Sequence, residues 1–385
     1  RDVERSRGLG DVYKRQELKY LSALDFKTIS EKQLVNKQMK INEVLKYART
    51  LNQHTQLYDI LKHRLINKGY IRSDKQKEDL NDLVLSELHL IANNSYQGFE
   101  AQKLHLLFQA TYYLNSGNYK SAIRYYQELI NLFNDNQHLI LNPPIYYLSA
   151  IQGILDSLCI AGLYHETPFF LSKLEELTQN EYSTEFILHL KTLIYIYKSN
   201  SLLQAGNFEQ ALELRDKQEN ELLKKVTSLG LESQLRLYLS FAVLGMYTKD
   251  YVQARKYMKK IFSLGKLFCA FPSYKIARLV NLLLQAELGN YDFFENEIIS
   301  IKRNIRFEKQ TYITEKLIFK FIQGYPLPSY EKARNKRWLQ YQKDIQKIEQ
   351  DKYERQLLKT FDVLAWIESK LTQRSLADIL AEKAH

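Results

Sequence analysis

Between Glu31 and Thr50 the apolar residues Leu34, Val35, Met39, Ile41, Val44, Leu45 and Ala48 recur mostly three or four positions apart. That is the spacing of one face of an α-helix. Leu57 to Ile66 reads as a partner helix ending near Gly69, and Ser73-Asp74 supplies N-cap chemistry for a further helix through Leu90. From Phe99 the pattern becomes regular. Each unit is a helix of about 15–20 residues, a tight turn and a second helix. In the first unit Leu106, Ala110 and Tyr113 share a face of helix A, and Tyr119, Ala122, Tyr126 and Leu129 share a face of helix B. Ala254, Met258 and Ile261 repeat the helix B spacing in the fourth unit, and Phe294, Ile298 and Ile301 repeat it in the fifth. Leu171 and Leu174 keep part of it in the second, after Thr167-Pro168. The small alanine marks where two helices approach closely.

The turns between these helices recur as well. They are Ser116-Gly117-Asn118-Tyr119, Ala161-Gly162-Leu163-Tyr164, Ala205-Gly206-Asn207-Phe208, Thr248-Lys249-Asp250-Tyr251 and Leu288-Gly289-Asn290-Tyr291. Counted from the glycine, or from Lys249, the steps are 45, 44, 43 and 40 residues. A constant period of roughly 20–50 residues marks a repeat architecture, in which each helical unit buries its apolar face against its neighbours. The fold class expected is therefore all-α. Beyond Asn304 the pattern changes. A helix from about Lys309 to Ile322 is broken by Pro326 and Pro328. Tyr330 to Lys370 then reads as one or two long charged helices carrying Trp338, Leu339, Ile345, Ile348, Leu357, Leu358, Phe361, Leu364 and Ile367. A terminal element with a polar outer face keeps a repeat array soluble, so this stretch reads as a C-terminal helical cap.

Gly117, Tyr119, Ala122 and Tyr126, with Gly206, Phe208 and Ala211 and with Tyr251 and Ala254, make the chain resemble the tetratricopeptide repeat family. The resemblance covers about Phe99 to Asn304, with a period longer than that family's roughly 34 residues. More generally the chain resembles helical-repeat proteins of environmental bacteria. The resemblance implies a right-handed α-solenoid of antiparallel helix pairs with a period of about 40–45 residues. The expected organisation is N-terminal helices over 17–96, five helix pairs over 97–304 and capping helices over 305–385. It also implies a concave groove lined by the A helices, with Thr111, Gln152, Asp156, Asn200, Gln204, Arg236 and Tyr247 at inward positions. Amides such as Gln152, Asn200 and Gln204 suit a ligand held by its backbone. Arg1 to Gln16 resembles the translated adapter sequence found at the ends of environmental gene fragments, and the first methionine is Met39. Those sixteen residues are expected to be a scar and the native protein to extend upstream.

Composition narrows the function classes. Gly (13) and Pro (6) are few and long stretches carry neither, which suits helices. Cys159 and Cys269 have no thiol or histidine neighbour in sequence, so neither a disulfide framework nor a zinc site is expected. That usage fits the reducing cytoplasm. No run reads as a membrane helix. The longest uncharged stretch, Asn136 to Leu155, contains Gln137, His138, Pro143-Pro144 and Gln152. No His-Glu-x-x-His pair, phosphate-cradling glycine loop or Gly-x-Ser-x-Gly elbow occurs; Gly8-Leu9-Gly10 falls in the suspected scar, and His165-Glu166 reads as a surface or capping pair at a repeat turn. Asn93-Asn94-Ser95 matches a glycosylation acceptor by chance. Neither enzymatic activity nor a cofactor or metal is expected.

The net charge of +11 is unevenly placed. From Asp250 to Thr360 there are 22 Lys or Arg and 12 Asp or Glu, a balance of 22 − 12 = +10. Arg255-Lys256, Lys259-Lys260, Lys302-Arg303, Arg306 and the dense run Lys332 to Arg337 lie here. A basic stripe attracts nucleic acid, an anionic membrane or an acidic partner; the favoured reading is an ordinary solvated helix face whose lysine stems cover apolar surface. The leading expectation is a protein-interaction scaffold that binds a peptide or helix in its groove. The alternatives are the ligand-sensing half of a regulator with an upstream effector domain, and a nucleic-acid-binding repeat using residues 255–337.

Overall fold

A computed structural model describes residues 30–68, 71–92, 98–140, 142–265, 271–308 and 312–384. Residues 1–16, Gly69, Asn93-Asn94-Ser95, Cys269 and Lys309, singled out above, lie outside them, as does the side chain of Arg306. Among the described residues every regular element is helical and there is no strand. In chain order the helices are α1 (Glu31–Lys68), α2 (Asp74–Glu78), α3 (Asn81–Ala92), α4 (Phe99–Asn115), α5 (Tyr119–Asp135) and α6 (Ile145–Ala161). There follow α7 (Thr167–Leu177), α8 (Thr184–Gln204), α9 (Phe208–Lys224), α10 (Leu231–Tyr247), α11 (Tyr251–Ser263) and α12 (Pro272–Glu287). The last are α13 (Asp292–Glu308), α14 (Ile313–Ile322), α15 (Glu331–Gln350), the single turn α16 (Arg355–Leu358), α17 (Val363–Thr372) and α18 (Leu376–Ala384).

The five sequence turns share one backbone conformation. Gly117, Gly162, Gly206 and Gly289 have φ of 79°, 77°, 76° and 73°, and Lys249 takes the same left-handed conformation at 61°. Three of the turns close with identical bonds. Gly162, Gly206 and Gly289 donate to the carbonyls of Cys159, Leu203 and Ala286, and the following amides reach back to Leu158, Leu202 and Gln285. This is the Schellman termination, which satisfies the orphan carbonyls at a helix end and needs a residue that tolerates positive φ. At the fourth turn Asp250 caps the next helix, its side chain accepting from the Gln253 amide.

The chain falls into two compact units. One gathers the residues up to Arg64 with Lys77–Leu114 and Lys120–Ile154. In it Ala122 and Leu129 are fully buried and Tyr126 nearly so, as their spacing predicts. The Tyr126 ring lies against Gly153, where a Cβ would collide with it. Tyr113 stacks on Tyr125 at 5.4 Å, although Tyr113 and Leu106 are only half-buried. The buried Glu87 carboxylate is met by His105 and by Gln109 Nε2 at 2.7 Å, so this core charge is hydrogen-bonded.

Two expectations for this region change. The helices read at Glu31–Thr50 and Leu57–Ile66 are one helix, α1, because no Gly or Pro interrupts residues 51–56. Its predicted apolar stripe is also largely uncovered. Val35, Met39 and Leu45 are exposed, and only Val44 among the predicted set is buried. The helix read from Ser73-Asp74 to Leu90 divides into α2 and α3.

The second unit holds Leu65–Gln76, Asn115–Tyr119 and everything from Leu155 onward. Neighbouring helices pack in a recurring order here. Helices α8, α10, α12 and α14 touch in series, and α9, α11 and α13 each lie against the helix that precedes them. The closest crossing is between α10 and α11. A Cβ on Gly245 would stand 2.8 Å from the Asp250 carbonyl and 2.9 Å from the Ala254 amide. Ala254 is fully buried, with Met258 and Ile261 beside it in sequence register. Phe294, Ile298 and Ile301 on α13 are buried as their spacing predicts, as are Leu171 and Leu174 on α7. The expected Lys309–Ile322 helix is observed as α14, from Ile313.

Candidate functional site

The stretch read as one or two charged helices after Tyr330 is interrupted between Gln350 and Val363. There the chain leaves helix, makes the one turn of α16, and leaves it again before Asp362 caps α17 by accepting from the Ala365 amide at 2.9 Å. Helices α15 and α17 pack on each other, so the interruption is a loop between two joined helices.

This loop runs past the ends of several helices in chain order. At the first turn the Tyr119 hydroxyl donates to the Lys352 carbonyl at 2.5 Å, and a Cβ on Gly117 would meet the Lys352 stem at 2.9 Å. Gln356 Nε2 donates to the Asn115 carbonyl at 3.4 Å. One repeat on, Lys359 Nζ stands 3.3 Å from Asp156 Oδ1. Asn200 Nδ2 donates to the Lys359 carbonyl at 3.1 Å. The Asp362 amide donates to the Tyr247 hydroxyl at 2.8 Å, and the Phe361 ring rests on Tyr247 with centroids 5.0 Å apart. Further along, Lys370 on α17 donates to Tyr251 at 3.3 Å and pairs with Glu287. Positions 352 and 356 thus meet the first turn, 359 meets α6 and α8, 362 meets α10, and 370 meets α11 and α12. Between them Glu354, itself buried, accepts from the Ile313 and Thr314 amides at 2.5 and 3.0 Å, anchoring the loop to the start of α14.

The centre of this contact is charged. Asp156 Oδ1 accepts from Tyr197 Oη at 2.9 Å, Arg236 at 3.3 Å and Lys359 at 3.3 Å. The side chains of Asp156, Arg236 and Lys359 are 17%, 17% and 15% exposed, so two cations share one carboxylate largely out of water. Arg236 also lies over the Tyr197 ring, 5.5 Å from its centroid. Burial pushes the Asp156 carboxyl up, but Lys359, Arg236 and the Tyr197 hydroxyl outweigh it and hold it below its ordinary value. Burial drives the nearby Cys159 thiol up to about 12, with the Asp156 charge adding to it, which keeps it protonated and inert. A cavity of about 300 Å³ opens beside the loop, lined by Tyr164, Gln204, Arg355, Lys359 and Lys383 among others.

Of the sequence-predicted groove residues, the second unit brings Asp156, Asn200, Arg236 and Tyr247 onto the loop, with Gln204 lining the adjoining cavity. They do not face open solvent; the chain's own residues 359–362 cover them. Thr111 and Gln152 belong to the first unit, half-buried, with Thr111 beside the Tyr58 hydroxyl. Sequence reasoning named Tyr119 and Phe361 only as turn and packing residues, and it missed Tyr197 and Lys359. The breaks at Asp351-Lys352 and at the Asp362 cap were the available signals for Lys359 and Phe361.

The basic stretch is partly engaged at home. Arg337 donates to the Gly324 carbonyl, and Arg334 to those of Pro328 and Ser329. Lys260 lies over the Tyr238 and Tyr257 rings, and Lys302 over Phe319. Lys332 and Lys336 are exposed. His165 and Glu166 form an exposed surface pair 3.7 Å apart. Among the described residues no helix is long and apolar enough to cross a membrane, and no cluster of His, Cys, Asp and Glu could hold a metal ion. Comparison with protein-family models, with curated proteins and with solved structures finds no match.

Proposed function

We propose that this protein is a non-catalytic interaction scaffold, a right-handed solenoid of tetratricopeptide-like antiparallel helix pairs that binds a peptide or helix along its inner surface. One observation carries the reading. Polar side chains at the ends of successive repeats already hold a non-helical segment by its backbone, with Asn200 donating to a carbonyl and Tyr247 accepting from an amide. Bonds to the main chain give affinity for any sequence, while the pockets between them select side chains. Repeat arrays offer such surfaces because each unit presents equivalent positions at a fixed spacing. The cytoplasm suits the reading, since Cys159 is a free, buried thiol.

The test is quantitative affinity capture on the full chain with its own loop weakened by Lys359→Ala/Phe361→Ala, with and without Asn200→Ala/Tyr247→Phe. Partners that use this surface fall by about tenfold or more in the chain carrying both pairs, the loss of one or two hydrogen bonds. Equal capture by both chains, with equal melting temperatures, removes the surface from the proposal.

A further inference from the structure

We infer that Lys359-Thr360-Phe361-Asp362 is a tethered competitor for a partner peptide of the same chemistry: a basic residue followed two positions later by an aromatic one. The inference rests on the scaffold reading and names the partner class. Three features of the contact support it. First, the bonds from Asn200 and to Tyr247 use only the backbone of residues 359 and 362, so a foreign peptide reproduces them whatever its sequence. Second, selectivity comes from two side chains. Lys359 places its ammonium on Asp156 and, two residues later along the same turn, Phe361 places its ring on Tyr247. Third, the charges favour exchange. With Lys359 present, one carboxylate faces two cations; once it leaves, Asp156 keeps Arg236 and Tyr197 as partners and no buried charge is stranded.

The loop can also leave by itself. Helices α15 and α17 pack on each other, and α18 packs on α17 and α8, so exchange requires only residues 359–362 to lift away, at the cost of the Asp362 cap on α17 and the Phe361 contact with Trp366. Such a tether acts as a ligand at an effective concentration in the millimolar range, which masks the site from a dilute partner until the loop is weakened or out-competed. An acidic residue at the first position is rejected, because it would face the Asp156 carboxylate across the same gap.

A fluorescein-labelled synthetic peptide with the sequence of residues 351–362 provides the probe, read by fluorescence polarisation on the full-length chain. Wild type binds it weakly. Lys359→Ala/Phe361→Ala, which weakens the tether, binds at least about tenfold tighter. A peptide carrying Glu in place of its Lys359 loses that binding, and so does Asp156→Asn placed in the same background. If the double variant keeps its helical circular dichroism and cooperative melt yet binds no better than wild type, the inference is overturned. Should the double variant unfold, the wild-type chain decides. Saturating unlabelled peptide speeds amide exchange in residues 359–362 by about tenfold while α10 stays protected, and unchanged exchange overturns the inference. A peptide that fails while partner capture still depends on Asn200 and Tyr247 rejects this partner class alone. Capture indifferent to those residues rejects the scaffold surface as well.

Discussion

Replacing Asp156 with alanine is the sharpest test of how the C-terminal loop is held. The substitution removes the carboxylate that Arg236 and Lys359, each about one-sixth exposed, both contact. At 3.3 Å and an effective dielectric near 20, each attraction is worth about 5 kcal/mol before desolvation is subtracted. Desolvation cancels much of it, and removing one member of a buried ion pair typically costs about 3–5 kcal/mol. Residual solvent access and the ring beneath Arg236 place the expected loss at the lower end, about 3 kcal/mol. Lys359→Met leaves a one-to-one pair behind and costs only about 1 kcal/mol.

The double variant Asp156→Ala/Lys359→Met then loses about 1–2 kcal/mol less than the sum of the single losses, because the ammonium that contacted the lost carboxylate has gone too. Urea unfolding followed by far-ultraviolet circular dichroism measures all three, compared at the midpoint with a common slope. A loss below about 0.5 kcal/mol for Asp156→Ala, or strictly additive losses, refutes the shared-carboxylate account.

Three further outcomes follow from named contacts. Lys249→Gly stabilises the chain by up to about 1 kcal/mol, since Lys249 occupies a left-handed turn that glycine adopts without strain; a lower urea midpoint contradicts this. Ala254→Arg costs more than about 3 kcal/mol, because the buried α10–α11 crossing has no room for a charge, and a wild-type melting temperature rejects it. The third concerns acid. The Asp156 carboxyl titrates lower folded than unfolded, so its stabilisation is present above its unfolded value of about 3.9 and is lost as pH falls through the folded value. Asp156→Asn therefore lowers stability at neutral pH and flattens the dependence below about pH 4, and an acid limb identical to wild type contradicts it.

Local periodicity made the helices and their turns legible, and its limits explain what stayed hidden. The glycine turns were readable because positive φ restricts the residue choice, and Lys249 was placed by register alone. The helix B faces were readable because burial at i, i+3 and i+4 is a local demand; Ala122, Ala254 and Ile298 all obey it. The stripe on α1 misled because spacing says which residues share a face, not whether anything covers it. The loop site needed information that periodicity does not carry. Lys359 meets Asp156 across 203 residues of sequence, and Asn200 meets Lys359 across 159. A polar residue on an apolar helix, such as Asp156, signals that some partner exists without naming it.

The repeat turns themselves show how folding and docking share residues. All five turn positions need a left-handed backbone, yet only some need the missing side chain for a second reason. At Gly162 and Gly289 an added Cβ would meet nothing within 4 Å, so there the backbone alone selects glycine. At Gly117 it would strike the Lys352 stem, and at Gly206 it would stand 2.5 Å from the Ala377 carbonyl on α18. Lys249 is exposed, which is why a long side chain is accepted at that turn once its φ is tolerated. The first and third turns are thus docking surfaces for the C-terminal elements as well as chain reversals. Alanine at Gly162 or Gly289 strains only the turn, whereas alanine at Gly117 or Gly206 must also displace the chain that lies across it. The same stretch that reads as a cap by its charge pattern is therefore held in part at the turns, where Gly117 and Gly206 leave room for it.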